Sequence, residues 1–326
     1  QPLVLVIEDF HWIDAASEEF LSFLADSIPA ASVLLIITHR PGYEHPFGDR
    51  SFHVRIPLQA LSHQVMHQMV QSVLESDALP TGLQQLIAGK AEGNPLFIEE
   101  VVRSLLEEGT IGVESGVPYL ARDRGGINVP NRIQDVLMAR LDRLPEGPKH
   151  AIQIASVIGR EFALRLLERI TEAGAQLGEI VGEPRALELI YEKASYPELA
   201  YMFKHALTHD VAYESVLVQR RKTLHQIVGT AIEELYPERI QEHYEALAHH
   251  FNEAEDWERA FQYHELASEK SQATYANRAA ADHCRSAIGI ADRLGAGVSQ
   301  ERRHALSQRL ALSCWHLSEF RASAEA

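Results

Sequence analysis

The sequence predicts a mainly helical protein that begins with a short α/β portion. Two apolar runs near the start are typical of strands buried on both faces of a parallel sheet: LVLVI at residues 3–7 and SVLLIIT at 32–38. From Ser62 onward, apolar residues repeat mainly at helical spacing instead. With 326 residues, 46% of them hydrophobic, the chain is long enough for about two or three domains with large cores.

Charge and cysteine content narrow the class of partner and the compartment. Acidic residues outnumber basic ones by 46 to 30, and the net charge of −16 disfavours a surface that binds nucleic acid by neutralising phosphates. The two cysteines, Cys284 and Cys314, supply neither a disulfide framework nor a thiolate metal site. No apolar run approaches the roughly 18 residues of a membrane helix, and no signal peptide is present. We therefore expect a cytoplasmic protein without a membrane partner.

Two adjacent carboxylates, Glu8 and Asp9, end the first apolar strand. Acids at the carboxyl end of a buried strand lie where open α/β sheets bind ligands. The pattern is typical of a Walker B element, in which an acid, here Asp9, holds Mg²⁺ and its neighbour orients the attacking water. The structural alternative is that both acids cap the helix that follows.

The second apolar run ends in Thr38-His39-Arg40-Pro41. A basic residue at the end of the strand beside a Walker B element is well placed to sense a γ-phosphate. Arg40 can do this, or it can simply pair with Asp9 or Glu44, and its position alone favours neither role.

The remaining elements of the α/β portion follow from local pattern. Asp14 is placed to cap a helix over residues 15–28. One face of that helix is expected to be apolar and to carry Phe20, Phe23, Leu24 and Ile28. A third short strand, at 52–58, is expected to close this portion of the chain.

Helices are predicted next, beginning with an amphipathic helix capped by Ser62 and a second helix at about 81–91. Gly93, Asn94 and Pro95 then open a helix that runs to Glu108. Proline early in a helix sacrifices no hydrogen bond, because its missing N–H would be unpaired there. The turn can be purely structural, or it can present an apolar ring and free helix N–H groups to a nucleotide.

The pattern in the middle of the chain predicts a domain junction and, after it, a small module of helices and strands. Residues 109–128 are glycine-rich and unpatterned, and Pro130-Asn131-x-x-Gln134 is typical of a capping box that begins a helix through Leu144. Two further helices are expected at about 146–157 and 162–172. The β-like runs at 189–193 and 199–203 predict a hairpin. Three helices followed by a hairpin are typical of a winged-helix module. Its acidic charge disfavours DNA binding.

A pair of histidines, His205 and His209, has the four-residue spacing of zinc ligands on one helix face, with Asp210 adjacent. A third ligand at a suitable distance and a general base are missing from the sequence pattern. With 17 histidines in the chain, chance pairs of this kind are common, and the pattern argues weakly for a metal.

From residue 216 to the end, the pattern is helical throughout. Aromatic residues and small alanines alternate along 244–251 and 260–267, which predicts an antiparallel helix pair and loosely matches tetratricopeptide repeats. Helices at 275–294 and 301–320 continue the pattern. Stacked hairpins of this kind form a solenoid that binds protein partners. The Arg220-Arg221-Lys222 cluster is most simply a solvated helix face.

Several separated motifs occur in one order along almost the whole chain, and together they resemble the STAND-type AAA+ ATPases of bacterial signalling proteins. The subgroup that they resemble follows class III adenylate/guanylate cyclase domains and precedes tetratricopeptide repeats. The motifs are LVLVIEDFHWID at 3–14, THRP at 38–41, GNPLFIEE at 93–100, VP at 129–130, ARLDRL at 139–144, VIGREF at 157–162 and FKHAL at 203–207.

The resemblance implies a role for each matching site residue. Glu8 and Asp9 match the Walker B acids, with Asp9 as the Mg²⁺ ligand, and Arg40 matches the sensor on the neighbouring strand. Gly93, Asn94 and Pro95 match the Gly-x-Pro turn that packs on adenine.

His205 matches the histidine of a Met-His-Asp motif, which in related switch ATPases contacts the β-phosphate of bound ADP. Here the segment reads Phe203-Lys204-His205-Ala206, so the aspartate of that motif is replaced. The cofactors implied are ATP or ADP with Mg²⁺.

The resemblance also implies a domain order. It comprises the C-terminal part of a P-loop ATPase domain (1–60), a helical lid (61–126), a winged helix (127–215) and a tetratricopeptide-like solenoid (216–326). No G-x-x-x-x-G-K-[ST] loop occurs, and the chain starts inside a strand. We therefore expect a piece of a longer protein that supplies the rest of an incomplete parallel sheet and the phosphate-binding loop.

Three functions remain open on the sequence. The first is an ATP/ADP-dependent regulatory switch that controls a cyclase output domain and hydrolyses ATP only in the complete protein. The second is a non-catalytic scaffold whose repeats bind proteins or self-assemble. The third is a winged-helix transcriptional regulator.

Overall fold

A computed structural model of the chain describes residues 2–48, 51–79, 82–83, 87, 90–114, 117–121, 130, 132–171, 177–195 and 198–324. The chain divides into two compact units. The first unit contains Gln1–Pro57, Gln241–Ala248 and Trp257–Ala326, and the second contains Leu58–Ile240 and His249–Asp256. Among the described residues, no helix has both the length and the apolar character that crossing a membrane requires.

The element order confirms a mainly helical chain with an α/β start. The strands are β1 (Leu3–Ile7), β2 (Val33–Ile37), β3 (Ile111–Glu114), β4 (Val117–Leu120), β5 (Glu161–Ala163), β6 (Ile190–Ala194) and β7 (Ala200–Phe203). The helices are α1 (Ala15–Ser27), α2 (His63–Leu74), α3 (Pro95–Glu107), α4 (Ile133–Arg143), α5 (Glu146–Ile158), α6 (Leu164–Thr171), α7 (Leu177–Ala186), α8 (Ala206–Glu214), α9 (Val218–Leu235), α10 (Tyr244–Glu253), α11 (Trp257–Ala273), α12 (Asn277–Leu294) and α13 (Gln300–Ala324).

In the first unit, β1 and β2 form a parallel pair in which Val4 lies opposite Leu34 and Val6 opposite Ile36. The predicted burial of both faces is wrong. These four side chains are between 41% and 58% exposed, whereas Ile7 and Ile37 pack against a small core of Phe10, Leu21, Ala25 and Phe47. Successive strand residues point to opposite faces, and the described residues of this portion cover only one of them.

Helix α1 begins as predicted, because the Asp14 side chain accepts a hydrogen bond from the Ser17 backbone N–H at 3.0 Å. Its predicted apolar face is partly wrong. Phe20 and Phe23 are 62% and 73% exposed, and Leu21 and Ala25 are buried in their place. Helical spacing alone permits either set, and contact with β1 and β2 selects the smaller side chains.

The predicted third strand at 52–58 is also wrong, since this segment pairs with no strand among the described residues. Its apolar side chains remain open to solvent, with Val54 and Leu58 at 77% and 91% exposure. Alternating apolar residues favour extended backbone, but a strand also needs a neighbouring backbone to receive its hydrogen bonds. Pro57 removes one of those donors.

In the second unit, α2 and α3 share a core with Leu83, Ile87, Ile111 and Val136. Ser62 caps α2 as predicted, accepting from the Val65 N–H at 3.4 Å. The helix predicted at 81–91 falls largely outside the described residues. The described residues between 109 and 121 do not form the unpatterned junction that we expected, because β3 and β4 pair in antiparallel order. Residues 122–129 lie outside the described residues.

The next part of the second unit centres on a three-stranded antiparallel sheet of order β5-β7-β6. Strands β6 and β7 confirm the predicted hairpin. Helix α6 begins at Leu164, two residues later than predicted, because β5 pairs with β7. Helix α4 also begins one residue later than a box starting at Asn131 requires, with Arg132 at the N-cap position and no side-chain cap. Whether these elements form a winged helix in function stays a prediction.

The C-terminal helices pack through the alanines that the sequence singled out. In the first unit, Ala260, Ala267, Ala280 and Ala287 are all fully buried. Small side chains let helix axes approach closely, so α11, α12 and α13 pack in succession. Helix α10 is shared, with its first residues in the first unit and 249–253 in the second.

Candidate functional site

The predicted acidic pair lies at the carboxyl end of β1, as the sequence implied. Glu8 is exposed and Asp9 is half-buried. The Asp9 backbone N–H donates to the Thr38 hydroxyl at 3.1 Å, and the Phe10 N–H donates to the Thr38 carbonyl at 2.8 Å. These bonds tie the end of β1 to the end of β2. Glu8 and Asp9 therefore lie at the end of the strand pair where open α/β sheets in general bind ligands.

Asp9 has a left-handed backbone, with a φ of 53°. This conformation costs a side-chain-bearing residue on the order of 1–2 kcal/mol, although aspartate tolerates it better than most residues. Strained backbone of this kind concentrates at ligand sites. It turns the chain at the end of β1.

Arg40 lies at the same edge, in the exposed segment after β2. Its guanidinium carbon is 5.5 Å from the centre of the Trp12 ring, within the range of a cation–π contact. This contact is an alternative that the sequence did not suggest. The sensor role of Arg40 stays a prediction.

The Gly93–Pro95 turn belongs to the second unit and has a clear structural function. Gly93 has a φ of 77°, and a Cβ atom there would lie 2.7 Å from the backbone nitrogen of Leu61. The Leu61 N–H also donates to the Gly93 carbonyl at 2.9 Å. Asn94 caps α3 by accepting from the Phe97 N–H at 3.3 Å, and Pro95 is its first residue. The turn is therefore held rigidly at the start of α3.

His205 occupies the N-cap position of α8, and its Nε2 atom is buried without a hydrogen-bond partner among the described residues. Burial lowers the pKa of His205, and the nearby Glu100 carboxylate opposes that shift without cancelling it. The imidazole is therefore neutral near pH 7. A buried polar atom without a partner is uncommon in native proteins and calls for a functional explanation.

An ion-pair cluster links the helix that opens at Pro95 to the segment that carries His205. Lys204 Nζ is 2.7 Å from Glu99 of α3 and 2.6 Å from Glu188, and Arg103 also contacts Glu188 at 2.9 Å. Burial alone would raise the pKa of Glu99, but Lys204 and Arg103 outweigh it and hold that pKa below its ordinary value. The hydrogen bond from Lys204 likewise lowers the pKa of Glu188. The structure thus brings the predicted adenine turn and the predicted phosphate sensor onto adjoining elements of one unit.

We did not predict from the sequence that an arginine in the same unit, Arg140, is buried and paired with carboxylates. Arg140 is 1% exposed, and it contacts Glu100 and Glu107 of α3 and donates to the Leu187 carbonyl at 2.8 Å. Burial alone would lower the pKa of Arg140, and the two carboxylates more than compensate. A signal was present in the sequence. Arg140 lies four residues after Val136, on the apolar face of α4.

The spacing of His205 and His209 does not produce a metal site. His205 precedes α8, so the two residues do not share a helix face. Both ring nitrogens of His209 lie 3.0 Å from protein oxygens, Nδ1 from Asp210 and Nε2 from the carbonyl of Ser156. His209 is therefore a structural residue of α8.

Residues 64–118 match the model of a family described as a domain of unknown function, DUF8739. An uncharacterised protein, R02095 of Rhizobium meliloti (strain 1021), is 27% identical over 238 residues, which are 71% of this chain and 22% of that protein. The chain therefore spans about a fifth of the length of this relative.

Among solved structures, the chain is similar to a STAND protein with a tetratricopeptide repeat sensor, PH0952 from Pyrococcus horikoshii. The identity is 12% and the TM-score 0.44, over 97% of this chain and 59% of that chain.

Proposed function

We propose that this chain is a nucleotide-responsive regulatory module of a longer signalling protein, in which ATP hydrolysis takes place only in the complete protein. The observation that supports it most is the buried, unpartnered Nε2 of His205 beside the helix that opens with Gly93, Asn94 and Pro95. The resemblance to STAND-type ATPases supplies the ligand class, ADP or ATP with Mg²⁺, and a cyclase output domain.

The chemistry of His205 fits a phosphate group. An unsatisfied buried polar atom destabilises the folded state by about 1–3 kcal/mol, so a ligand that pairs with it gains that free energy. A neutral imidazole can donate one N–H, and a phosphate oxygen accepts it. His205 would then bind the nucleotide in one state and lose that contact in the other, which is the differential interaction that a switch requires.

The acidic pair fits a magnesium ion. Mg²⁺ prefers oxygen ligands and is usually held by one or two carboxylates together with phosphates. Asp9 would hold the ion, and the exposed Glu8 would orient water. Arg40 would supply positive charge at the same edge of the sheet, after release from Trp12.

The test is ADP binding by the complete protein carrying His205→Leu. We expect at least tenfold weaker binding, a loss of about 1.4 kcal/mol, with a melting temperature equal to or above that of the wild type. His209→Leu is the matched control, since it removes two existing hydrogen bonds. That control should melt earlier yet retain ADP. Equal ADP affinity in His205→Leu and the wild type would refute the role of His205.

A second function, a protein-interaction scaffold, is favoured by the C-terminal helices. Their alanine-packed stack leaves large apolar side chains exposed, among them Tyr275 at 83% and Trp315 at 53%. Protein partners, or further copies of the chain, would bind there. A complete wild-type protein that binds no nucleotide would favour this function over the switch. The hairpin of β6 and β7 keeps a winged-helix regulator as a third candidate, which the net charge of −16 disfavours.

A further inference from the structure

Three imidazoles meet where α9 contacts the end of α10, within the second unit. The side chains are His225, His249 and His250, and each offers a ring nitrogen within 4.8 Å of those of the other two. Nδ1 of His225 lies 2.9 Å from Nδ1 of His250. His225 and His250 are 2% and 3% exposed, whereas His249 is open to solvent.

The two buried imidazoles of this cluster are neutral, so each has a nitrogen lone pair that can bind a metal ion. Burial, together with the neighbouring His249 and Arg221, lowers the pKa of His225 to about 4. Burial and the adjoining imidazoles lower the pKa of His250 to about 3. Both rings are neutral near pH 7, so a metal ion would not have to displace a charge-bearing proton from either ring.

Tyr213 directs the ligand nitrogen of His225. Its hydroxyl is 3.1 Å from Nε2 of His225. If Nε2 carries the proton and donates to Tyr213, the Nδ1 lone pair is left facing His250. Metal-binding histidines generally have such a partner on the second ring nitrogen, because it fixes the tautomer and the ring orientation.

We propose that His225, His249 and His250 bind a divalent transition metal ion, with Zn²⁺ as the ion that fits best. Imidazole nitrogen suits Zn²⁺, and three protein ligands leave a fourth position for water on the exposed side of His249.

The geometry requires little movement. Zn–N distances of about 2.0–2.1 Å in a tetrahedral site place ligand nitrogens about 3.3 Å apart, so the two Nδ1 atoms need to separate by about 0.4 Å. The exposed His249 is able to turn inward. The charged group beside the site is Arg221, whose guanidinium lies 4.7 Å from the Tyr213 ring centre, and the ion must be tolerated next to it.

The first unit contains a natural comparison. His264 and His283 face each other through Nδ1 atoms 3.0 Å apart, between α11 and α12. Among the residues that the structure describes, no third metal-ligating side chain completes this pair. It provides the same imidazole contact without a three-ligand site, and so it serves as a control.

The proposal is tested by titrating the complete protein with Zn²⁺ in a calorimeter, and with Co²⁺ while recording the visible absorption of tetrahedral cobalt. We expect one strong site, with affinity at least tenfold lower in His249→Ala. That substitution changes an exposed side chain and should leave the melting temperature without metal unchanged. His283→Ala should bind as tightly as the wild type.

A thermal readout separates this site from scattered surface histidines. Zn²⁺ should raise the melting temperature of the wild type and of His283→Ala, since an ion that binds only the folded chain stabilises it. It should raise that of His249→Ala much less. His250→Gln should also lose the strong Zn²⁺ site. Its Zn²⁺ affinity is compared with that of the wild type at one temperature, below the melting temperature of the variant. Equal affinities for His249→Ala and the wild type, or no strong site in the wild type, would overturn the proposal.

Discussion

Two sheets of the protein differ in the composition of their strands and in their surroundings: β1 and β2 are wholly aliphatic, whereas β5 and β6 carry Glu161, Glu192 and Lys193. In the parallel pair β1–β2, Val4 and Val6 remain 58% and 53% exposed. In the sheet of β5, β7 and β6, Phe162 and Phe203 are 2% and 0% exposed. Helices α5, α6, α7 and α8 pack on the second sheet, whereas the described residues around the first sheet cover one face. The burial of a strand is therefore decided by the layers around it and not by its own composition.

The largest effect is expected from the buried charge of the second unit. Arg140→Ala would leave the carboxylates of Glu100 and Glu107 without their cation in a dry environment. Breaking a buried ion pair from one side typically costs about 3–5 kcal/mol, and with two carboxylates affected we expect the upper end. Guanidinium unfolding measures the loss. A cost below about 1 kcal/mol would show that this region is as open as the β1–β2 sheet.

Two alanine substitutions, one in each sheet, test the comparison between the sheets directly. Phe203→Ala should lower the free energy of unfolding by about 3–5 kcal/mol, because it removes a fully buried ring that contacts Phe162. Val6→Ala should change it by no more than about 0.5 kcal/mol, since this side chain is already half in water. Comparable losses for the two variants in denaturant titrations would mean that the β1–β2 sheet is covered in solution.

Gly93→Ala should have an intermediate effect. The new methyl group would meet the backbone of Leu61 at 2.7 Å, and alanine disfavours a φ of 77°. Overpacking and backbone strain together suggest a loss of about 2–3 kcal/mol. Gly42→Ala is the matched control, because it has a φ of 85° but nothing within 4 Å of its Cβ position. Equal losses for both would show that backbone strain alone matters at Gly93.

The smallest effect is expected at the half-buried ion cluster, and it should depend on pH. Lys204→Met should cost about 1–2 kcal/mol at neutral pH, against at most about 1 kcal/mol for Arg169→Met, which breaks an exposed pair with Glu234.

Lys204 holds the pKa values of Glu99 and Glu188 below their ordinary value of 4.5, so its contribution is complete above that pH. It is lost as the pH falls through the lowered values. The stability curves of Lys204→Met and the wild type should therefore converge in acid. A constant difference down to low pH would exclude this cluster as the cause.

Local chemistry made several features of the fold predictable. Asp14 and Ser62 were recognisable as caps because a short polar side chain before an apolar helical pattern satisfies the first free N–H groups. The hairpin of β6 and β7 and the alanine-packed C-terminal helices were predictable from the spacing of their apolar residues along the chain. At the candidate site, spacing placed Glu8 and Asp9 at the end of β1, but it did not reveal that His205 Nε2 is buried without a partner.

The sequence by itself therefore determined the helical character of most of the chain, the caps of α1 and α2, and that the first two strands run in parallel order at its start. Only the tertiary structure decided which faces are covered, that Arg140 is enclosed by carboxylates, and that His225 meets His249 and His250. Capping and periodicity act over three or four neighbouring residues and are written in the local sequence. Burial and side-chain clusters join residues far apart in the chain, and their geometry exists only after the elements pack.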